Sequence, residues 1–302
     1  MSVDALELGA TLYLPATRPD LSATLWGGRV PGLRSAVLCL EDAIAPADVP
    51  LGLARLAALL RTIPPAGTRP ALFVRPRDPA MFQRILRLPG ADRLAGFVLP
   101  KIDADTLPLY LDIADLTPGQ RLMPTLESRE TFDPVATRRL RRRLEREHAR
   151  ILAIRIGGND LLQAIGARRA RSRTAYEGPL GPLIARLVGE FAPWGFALSA
   201  PVMERFDDPL LLREEVLRDI EHGLLTKTAI HPLQVPVIQH ALAVPRDDLD
   251  EARRILAGNA PAVFAARGAM CEPATHGRWA TLTERRAVLF GIAEPLAVAR
   301  HA

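Results

Sequence analysis

The sequence predicts an α/β protein, a (β/α)8 TIM barrel with a C-terminal helical extension. Three observations carry this: eight short apolar runs, helical segments between them with clear start signals, and no glycine fingerprint of a dinucleotide fold. The runs are Thr11–Pro15, Ala36–Leu40, Ala71–Val74, Gly96–Leu99, Arg121–Leu126, Ile151–Ile156, Gly195–Ala200 and Lys227–Ile230. Several lack polar alternation, as parallel strands buried on both faces do. Between them, Asp78-Pro79, Asp133-Pro134 and Asp208-Pro209 each set a capping carboxylate before a first-turn proline. Eight β-then-α repeats favour a closed barrel over an open doubly wound sheet, and no Gly-x-Gly-x-x-Gly follows the first run.

The repeat ends near residue 245. The expected division is therefore a barrel catalytic domain over residues 1–245 and a helical extension over 246–302 that could contact a neighbouring subunit. Asp247–Ala257 and Thr283–Ala293 read as helices with no clear strand between them, and Pro295 should end the second.

With 302 residues and 48% hydrophobic composition, the chain can bury one large core. No apolar run reaches the roughly 18 residues that span a bilayer, and no secretory leader pattern opens the chain, so a cytoplasmic address and no membrane partner are expected. Cys39 and Cys271 are too few for a disulfide framework and read as free thiols. The formal charge of +5 is modest for this length, and the basic runs lack interleaved aromatics, so no nucleic-acid partner is expected. Nearly all the positive charge is arginine; Lys101 and Lys227 are the two lysines.

Two arginine clusters stand out. Arg138–Arg150 lies on a predicted helix with Leu140 and Leu144 on one face, and reads as a solvated helix back. Arg168–Arg173 follows the sixth run, in a loop on the expected active-site face. There, guanidinium forks suit phosphate or carboxylate oxygens, although a purely solvated loop is the simpler reading.

Barrel active sites lie at the C-terminal ends of the strands. The residues just after each run are polar in turn: Thr17 and Arg18, Glu41 and Asp42, Arg75, Lys101, Glu127, Gly157-Gly158-Asn159-Asp160, Glu204, and His231. Glu127 and Asp160, from adjacent strands, suit Mg²⁺ or Mn²⁺, which prefer oxygen ligands and retain waters for substrate to displace; no His/Cys pairing suggests zinc. The plainer alternative is an arginine pair for Glu127 and a helix cap for Asp160. Arg18 and Arg75 could hold a substrate carboxylate or stabilise an enolate oxygen, or form salt bridges within the barrel. Glu41 and Asp42 could neutralise those arginines or hold metal-bound water. His231 reads equally as a polar wall of the site or as a histidine bonded at a strand end.

The motifs LYLPATRP, LCLEDAI, LFVRPR, FVLPK, MPTLES, GGNDLL and KTAIHPLQV, in this order over about residues 11 to 240, resemble those of the citrate lyase β-subunit-like lyases and HpcH/HpaI aldolases. The resemblance implies a metal-dependent barrel, a trimer or hexamer, with Glu127 and Asp160 binding Mg²⁺ and Arg75 binding substrate. Two motifs depart from the family pattern. Cys39 replaces the first aspartate of Asp-Leu-Glu-Asp, and Pro15-Ala16-Thr17-Arg18 replaces a Pro-Gly motif. The stretch Arg173-Thr174-Ala175-Tyr176 and the run Met270-Cys271-Glu272-Pro273 with His276 resemble a divergent bacterial branch of barrel carbon–carbon lyases. Glu272 or His276 would stand in for an aspartate that relatives supply from a neighbouring subunit.

The expected function is a lyase or aldolase that cleaves or forms a C–C bond through a metal-stabilised enolate, on an oxo acid or on an acyl substrate such as an acyl-CoA or phosphorylated compound. Arg75, Asp42 and Lys101 are the expected catalytic residues, with Asp42 or a residue of another subunit as base. Arg18, Arg75, Glu41, Asn159, Arg173, Tyr176 and His231 are the expected substrate contacts. Two alternatives stand beside it: a Schiff-base aldolase using Lys101, and a catalytically reduced barrel that binds an acidic metabolite or a partner protein through its arginine loop.

Overall fold

Each of the eight runs forms a strand in the computed structural model, which describes residues 3–293. The strands are β1 (Ala10–Pro15), β2 (Ser35–Cys39), β3 (Ala71–Arg75), β4 (Gly96–Leu99), β5 (Arg121–Leu126), β6 (Ile154–Ile156), β7 (Leu198–Ser199) and β8 (Lys227–Ala229). They pair in parallel in the order β7-β6-β5-β4-β3-β2-β1-β8. A bridge between Ala200 and Lys227 joins the two ends and closes the barrel. The sixth run is shorter than its apolar stretch, Ile151 contributing only an isolated bridge to Leu122. The seventh starts late because Gly195 turns the chain at φ 85° before the strand begins.

Helices follow the strands in turn: α1 (Leu21–Leu25), α2 (Val49–Arg61), α3 (Pro79–Leu86), α4 (Leu107–Leu111) and α5 (Pro134–Arg146). Strand β6 is followed by two, α6 (Gly158–Ala164) and α7 (Leu180–Phe191), with the arginine loop between them; α8 (Pro209–Glu221) follows β7 and α9 (Gln234–Ala241) follows β8. The three Asp-Pro signals all work as read. Asp78 accepts from Met81 N at 2.7 Å, Asp133 from Val135 N at 2.8 Å and Asp208 from Leu211 N at 3.0 Å. Asp78→Ala is expected to cost about 1 kcal/mol by stranding a first-turn amide; an unchanged midpoint in urea unfolding would contradict that.

Alternation along the strands decides what faces inward. Val37, Phe73, Val98, Met123 and Ala153 form a fully buried interior layer above Leu8. Two residues further along the same strands, the same parity brings Cys39, Arg75, Thr125 and Arg155 inward, and then Glu127 and Gly157. The strand periodicity that builds the core thus also aims the charged residues at one end of it. The Arg138–Arg150 cluster is less solvated than its composition suggests. Leu140 and Leu144 are buried as expected, but so is Arg141, which bonds Glu190 and Glu145 at 2.7 Å each and stacks over Trp194.

The chain divides into two compact units, Met1–Ile238 and Gln239–Ala302, within α9. In the second, α10 (Arg246–Leu256) and α11 (Pro273–Phe290) are the two helices. The expectation of no strand between them is overturned: β10 (Phe264–Ala266) and β11 (Ala269–Cys271) form an antiparallel hairpin. Its two-residue turn, Arg267-Gly268, has φ of 52° and 81°, the left-handed pair that a tight hairpin demands. The alanine-rich strands hid this signal, since they carry few β-branched residues. Helix α11 also starts earlier than expected, at Pro273, and ends at Phe290 with Gly291 as its C-cap; the proposed terminator Pro295 lies outside the described residues. A short parallel pair, β9 (Val244–Pro245) with β12 (Ile292–Ala293), completes the unit. Cys39 and Cys271 are both buried and unpaired, as read. Among the described residues no helix is long and apolar enough to cross a membrane.

Candidate metal and substrate site

At the C-terminal end of the barrel, residues from β2 to β6 form one charged cluster. Arg75, the last residue of β3, is buried, and its Nη2 donates to Glu41 at 2.5 Å and to Glu127 at 3.0 Å, with Asp42 3.6 Å away. Lys101 Nζ donates to Glu41 at 2.7 Å and to Asp42 at 3.2 Å, and lies 3.9 Å from Asp160. The Lys101 backbone N–H donates to Glu127 Oε1 at 2.8 Å. That bond requires a left-handed backbone at Lys101, φ 51°, which a non-glycine residue adopts only when its surroundings hold it there. Arg77 shapes the loop after β2 by donating to the carbonyls of Glu41 and Ile44 at 2.8 and 2.9 Å.

The carboxylates here are not equivalent. Burial works against ionised Glu41, but Arg75 and Lys101 outweigh it and hold its carboxyl down at about 2. Glu127 goes the other way: burial first, then the charge of Asp160, push it up to about 7 despite Arg75. Burial and the bond with Glu41 also raise Asp42. Burial alone would depress the Lys101 ammonium, yet Glu41 and Asp42 raise it above the ordinary lysine range. A lysine so held is a poor source of the free amine that a Schiff base requires. Incubation with a 2-oxo acid and borohydride is therefore expected to leave the chain mass unchanged; a covalent adduct on Lys101 would reverse that assignment.

Glu127 Oε1 is saturated, whereas Oε2 accepts no hydrogen bond among the described residues and faces Gly157. A Cβ at Gly157 would lie 2.5 Å from Oε2 and 2.4 Å from the Glu127 Cβ, so only glycine fits. Asp160, on the first turn of α6, keeps 28% of its side chain exposed, and among the described residues its one ion-pair partner is Lys101, 3.9 Å away. A free carboxylate oxygen, a second carboxylate near enough to raise its pKa, and a backbone cradle without a side chain fit a hard divalent cation. Among the described residues no group of three or more His, Cys, Asp or Glu side chains is arranged for a metal. Glu127 and Asp160 would thus leave most coordination positions to water and substrate, as Mg²⁺ commonly does. Gly157→Ala should weaken Mg²⁺ binding by about tenfold or more by displacing Glu127; calorimetry showing unchanged affinity would argue against the cradle.

Below this cluster lies Arg155, which the sequence reading passed over. It is 2% exposed, donates to Thr228 Oγ1 at 2.5 Å, and lies over the Tyr13 ring at 5.1 Å. The hydroxyls of Thr125 and Ser199 are buried with no hydrogen-bond partner among the described residues. An arginine inside the apolar run ILAIRI, two residues before Gly157, was the available signal. Cys39, in register with Arg75, is buried, and burial raises its thiol above the ordinary range. It is a neutral group where an acid would have added charge.

Arg18, Tyr176 and His231 are engaged by partners outside the cluster. Arg18 is claimed by Asp20 in a two-point pair at 2.9 Å for both bonds. Tyr176 OH donates to Asp219 at 2.6 Å and its ring stacks on His222, so it serves the packing of α8. His231 stacks on Phe206 at 4.5 Å and accepts from Leu233 N. Asn159 is exposed beside Asp160, and Arg173 is exposed in the arginine loop near Glu204. Glu272 and His276 belong to the second unit, where the Glu272 N–H donates to His276 Nδ1 at 3.0 Å.

A closed eight-stranded parallel barrel with a carboxylate and guanidinium cluster at its C-terminal rim defines a class of barrel enzymes. Residues 2–292 match the family model described as C-C bond lyase of the TIM-barrel fold, and the chain belongs to that family. No curated protein matches it. The CitE protein of Mycobacterium tuberculosis, solved with magnesium, acetoacetate and coenzyme A, is similar in fold: TM-score 0.71, 22% identity, covering 94% of this chain and 99% of that one. A citrate lyase from Burkholderia xenovorans gives TM-score 0.71 at 18% identity, covering 98% of each chain. RipC from Yersinia pestis gives TM-score 0.59 at 23% identity, covering 79% of this chain and 96% of that one.

Proposed function

We propose that this chain is a Mg²⁺-dependent carbon–carbon lyase acting on an oxo acid or acyl substrate, with Glu127 and Asp160 as protein ligands to the metal. The observation that carries the reading is the unsatisfied Glu127 Oε2 in its glycine cradle beside Asp160. Mycobacterium tuberculosis relatives described as complexes of magnesium with acetoacetate or oxaloacetate support the same cation; Mn²⁺ has the same oxygen preference and is the alternative metal.

When bound, the cation supplies Lewis-acid polarisation of the substrate carbonyl. Arg75, fixed between Glu41 and Glu127, adds a second positive charge that does not reorganise as the enolate forms. In the cleavage direction, Asp42 takes the proton of the β-hydroxyl. The C–C bond breaks as that oxygen becomes a carbonyl, and the bonding electrons pass to the other fragment as an enolate, which takes a proton to give the product acid or acyl compound. Lys101 holds Asp42 on the rim at 3.2 Å, and Glu41 and Asn159 complete the polar wall. The C-terminal extension meets a neighbouring subunit in a homo-oligomer, trimer or hexamer, which light scattering would check.

Turnover of 2-oxo-4-hydroxy acids with added Mg²⁺, and its loss with chelator, tests the reading. Tight metal-dependent binding of oxo acids without any turnover would instead support a catalytically reduced binding barrel.

A further inference from the structure

Beyond the metal cluster, the loop between α6 and α7 and the loop between β7 and α8 enclose a cleft of about 410 Å³, lined by Arg168, Arg171, Arg173, Glu204, Arg205 and Phe206 among others. Its backbone walls are tied down. The Arg169 side chain, 7% exposed, donates to Val202 O at 2.8 Å and pairs with Glu215, which also accepts from Ala175 N at 2.7 Å. Gln234 donates to the carbonyls of Met203 and Arg205 at 2.8 and 3.0 Å. Lys227 bonds Glu215 and Asp219 at 2.9 Å each, so α8 holds the loop from behind.

The guanidinium groups facing this cleft are less committed. Arg205 is matched by Asp207 in a two-point pair at 3.0 Å for both bonds. Arg168 is 85% exposed and only 3.6 Å from Glu204. Arg171 and Arg173 have no ion pair among the described residues. Three guanidinium groups against one carboxylate leave two positive charges in excess, on forks suited to paired oxygens. That excess matches a phosphoryl dianion, whereas a single carboxylate would neutralise half of it. Phe206 keeps 53% of its surface exposed while stacking on His231, two residues beyond the end of β8, and so gives the cleft an apolar wall on the active-site side of the barrel.

We propose that this cleft binds a phosphoryl group and that the group is an arm of the substrate; the second half rests on the lyase reading above. Titration calorimetry of the full chain with phenyl phosphate, in chelator, tests the first half. Expected are saturable binding, at least about tenfold weaker binding of benzoate, and at least about tenfold loss in the Arg171→Ala/Arg173→Ala double variant, whose exposed positions leave the melting midpoint unchanged. Glu127→Ala should retain phenyl phosphate binding, so a failed metal assignment cannot be mistaken for a failed cleft. Equal affinity for benzoate, or full affinity in the double variant, would overturn the site. For the second half, phosphorylated and unphosphorylated 2-oxo-4-hydroxy acids are compared as substrates with Mg²⁺. A lower KM for the phosphorylated compound, raised in the double variant at similar kcat, supports the substrate arm. Equal KM values would refute it and leave the cleft as the site of a separate phosphorylated ligand; no turnover of either compound would refute the arm together with the lyase reading, while the calorimetry still decides the cleft.

Discussion

Glu127→Ala is expected to lower Mg²⁺ affinity by more than about 100-fold, since even changes behind the ligands cost 10- to 100-fold. In the proposed site this side chain is one of two protein carboxylates, and its removal leaves Asp160 as the single protein ligand. Glu127→Gln separates the roles of its two oxygens. The amide oxygen can still accept from Arg75 and the Lys101 N–H, so the loop conformation persists, but the negative charge at the metal position is gone. Calorimetric Mg²⁺ titration and thermal melts with and without Mg²⁺ read the result. Wild type should gain melting temperature with the cation and both variants should not. Undiminished affinity in either would sink the ligand assignment.

The second large effect concerns stability. Lys227 is 1% exposed and is gripped by Glu215 and Asp219, both buried on α8. Lys227→Met leaves two buried carboxylates with less compensation, Arg169 remaining for Glu215 and the Tyr176 hydroxyl for Asp219. Removing one partner of such a network costs about 3–5 kcal/mol, a large share of a typical domain's stability of about 5–15 kcal/mol. Adding Asp219→Asn should recover part of the loss by neutralising the worst-placed charge. Urea unfolding of the single and double variants checks both statements; a single variant within about 1 kcal/mol of wild type would contradict the first.

Lys227 also illustrates what a sequence can tell. Its rarity in an arginine-rich chain marked it, yet its role is packing, because strand parity turns it outward to α8 while Thr228 faces Arg155 inside. The strands were legible because doubly buried parallel strands are continuous apolar runs, and the Asp-Pro helix starts because a cap is a local interaction. Rim position brought Glu41, Asp42, Arg75, Lys101, Glu127 and Asp160 into one list, and the fold brings them into one cluster. Arg18 was drawn into the same list, but Asp20, two residues on, captures it first. Tyr176 depended on Asp219, a partner 43 positions away that no local pattern announces. Arg155 required knowing which face of an apolar strand points into the barrel.

The single bridge between Ala200 and Lys227 has a consequence for how copies of this chain can associate. By completing the ring it removes the exposed row of backbone donors and acceptors that an open eight-stranded sheet would present at each side. Its two end strands meet each other instead of standing open to a strand from another molecule, which disfavours edge-to-edge aggregation. Self-association through the barrel unit must then be written in side chains, which single substitutions on its helices can erase one contact at a time.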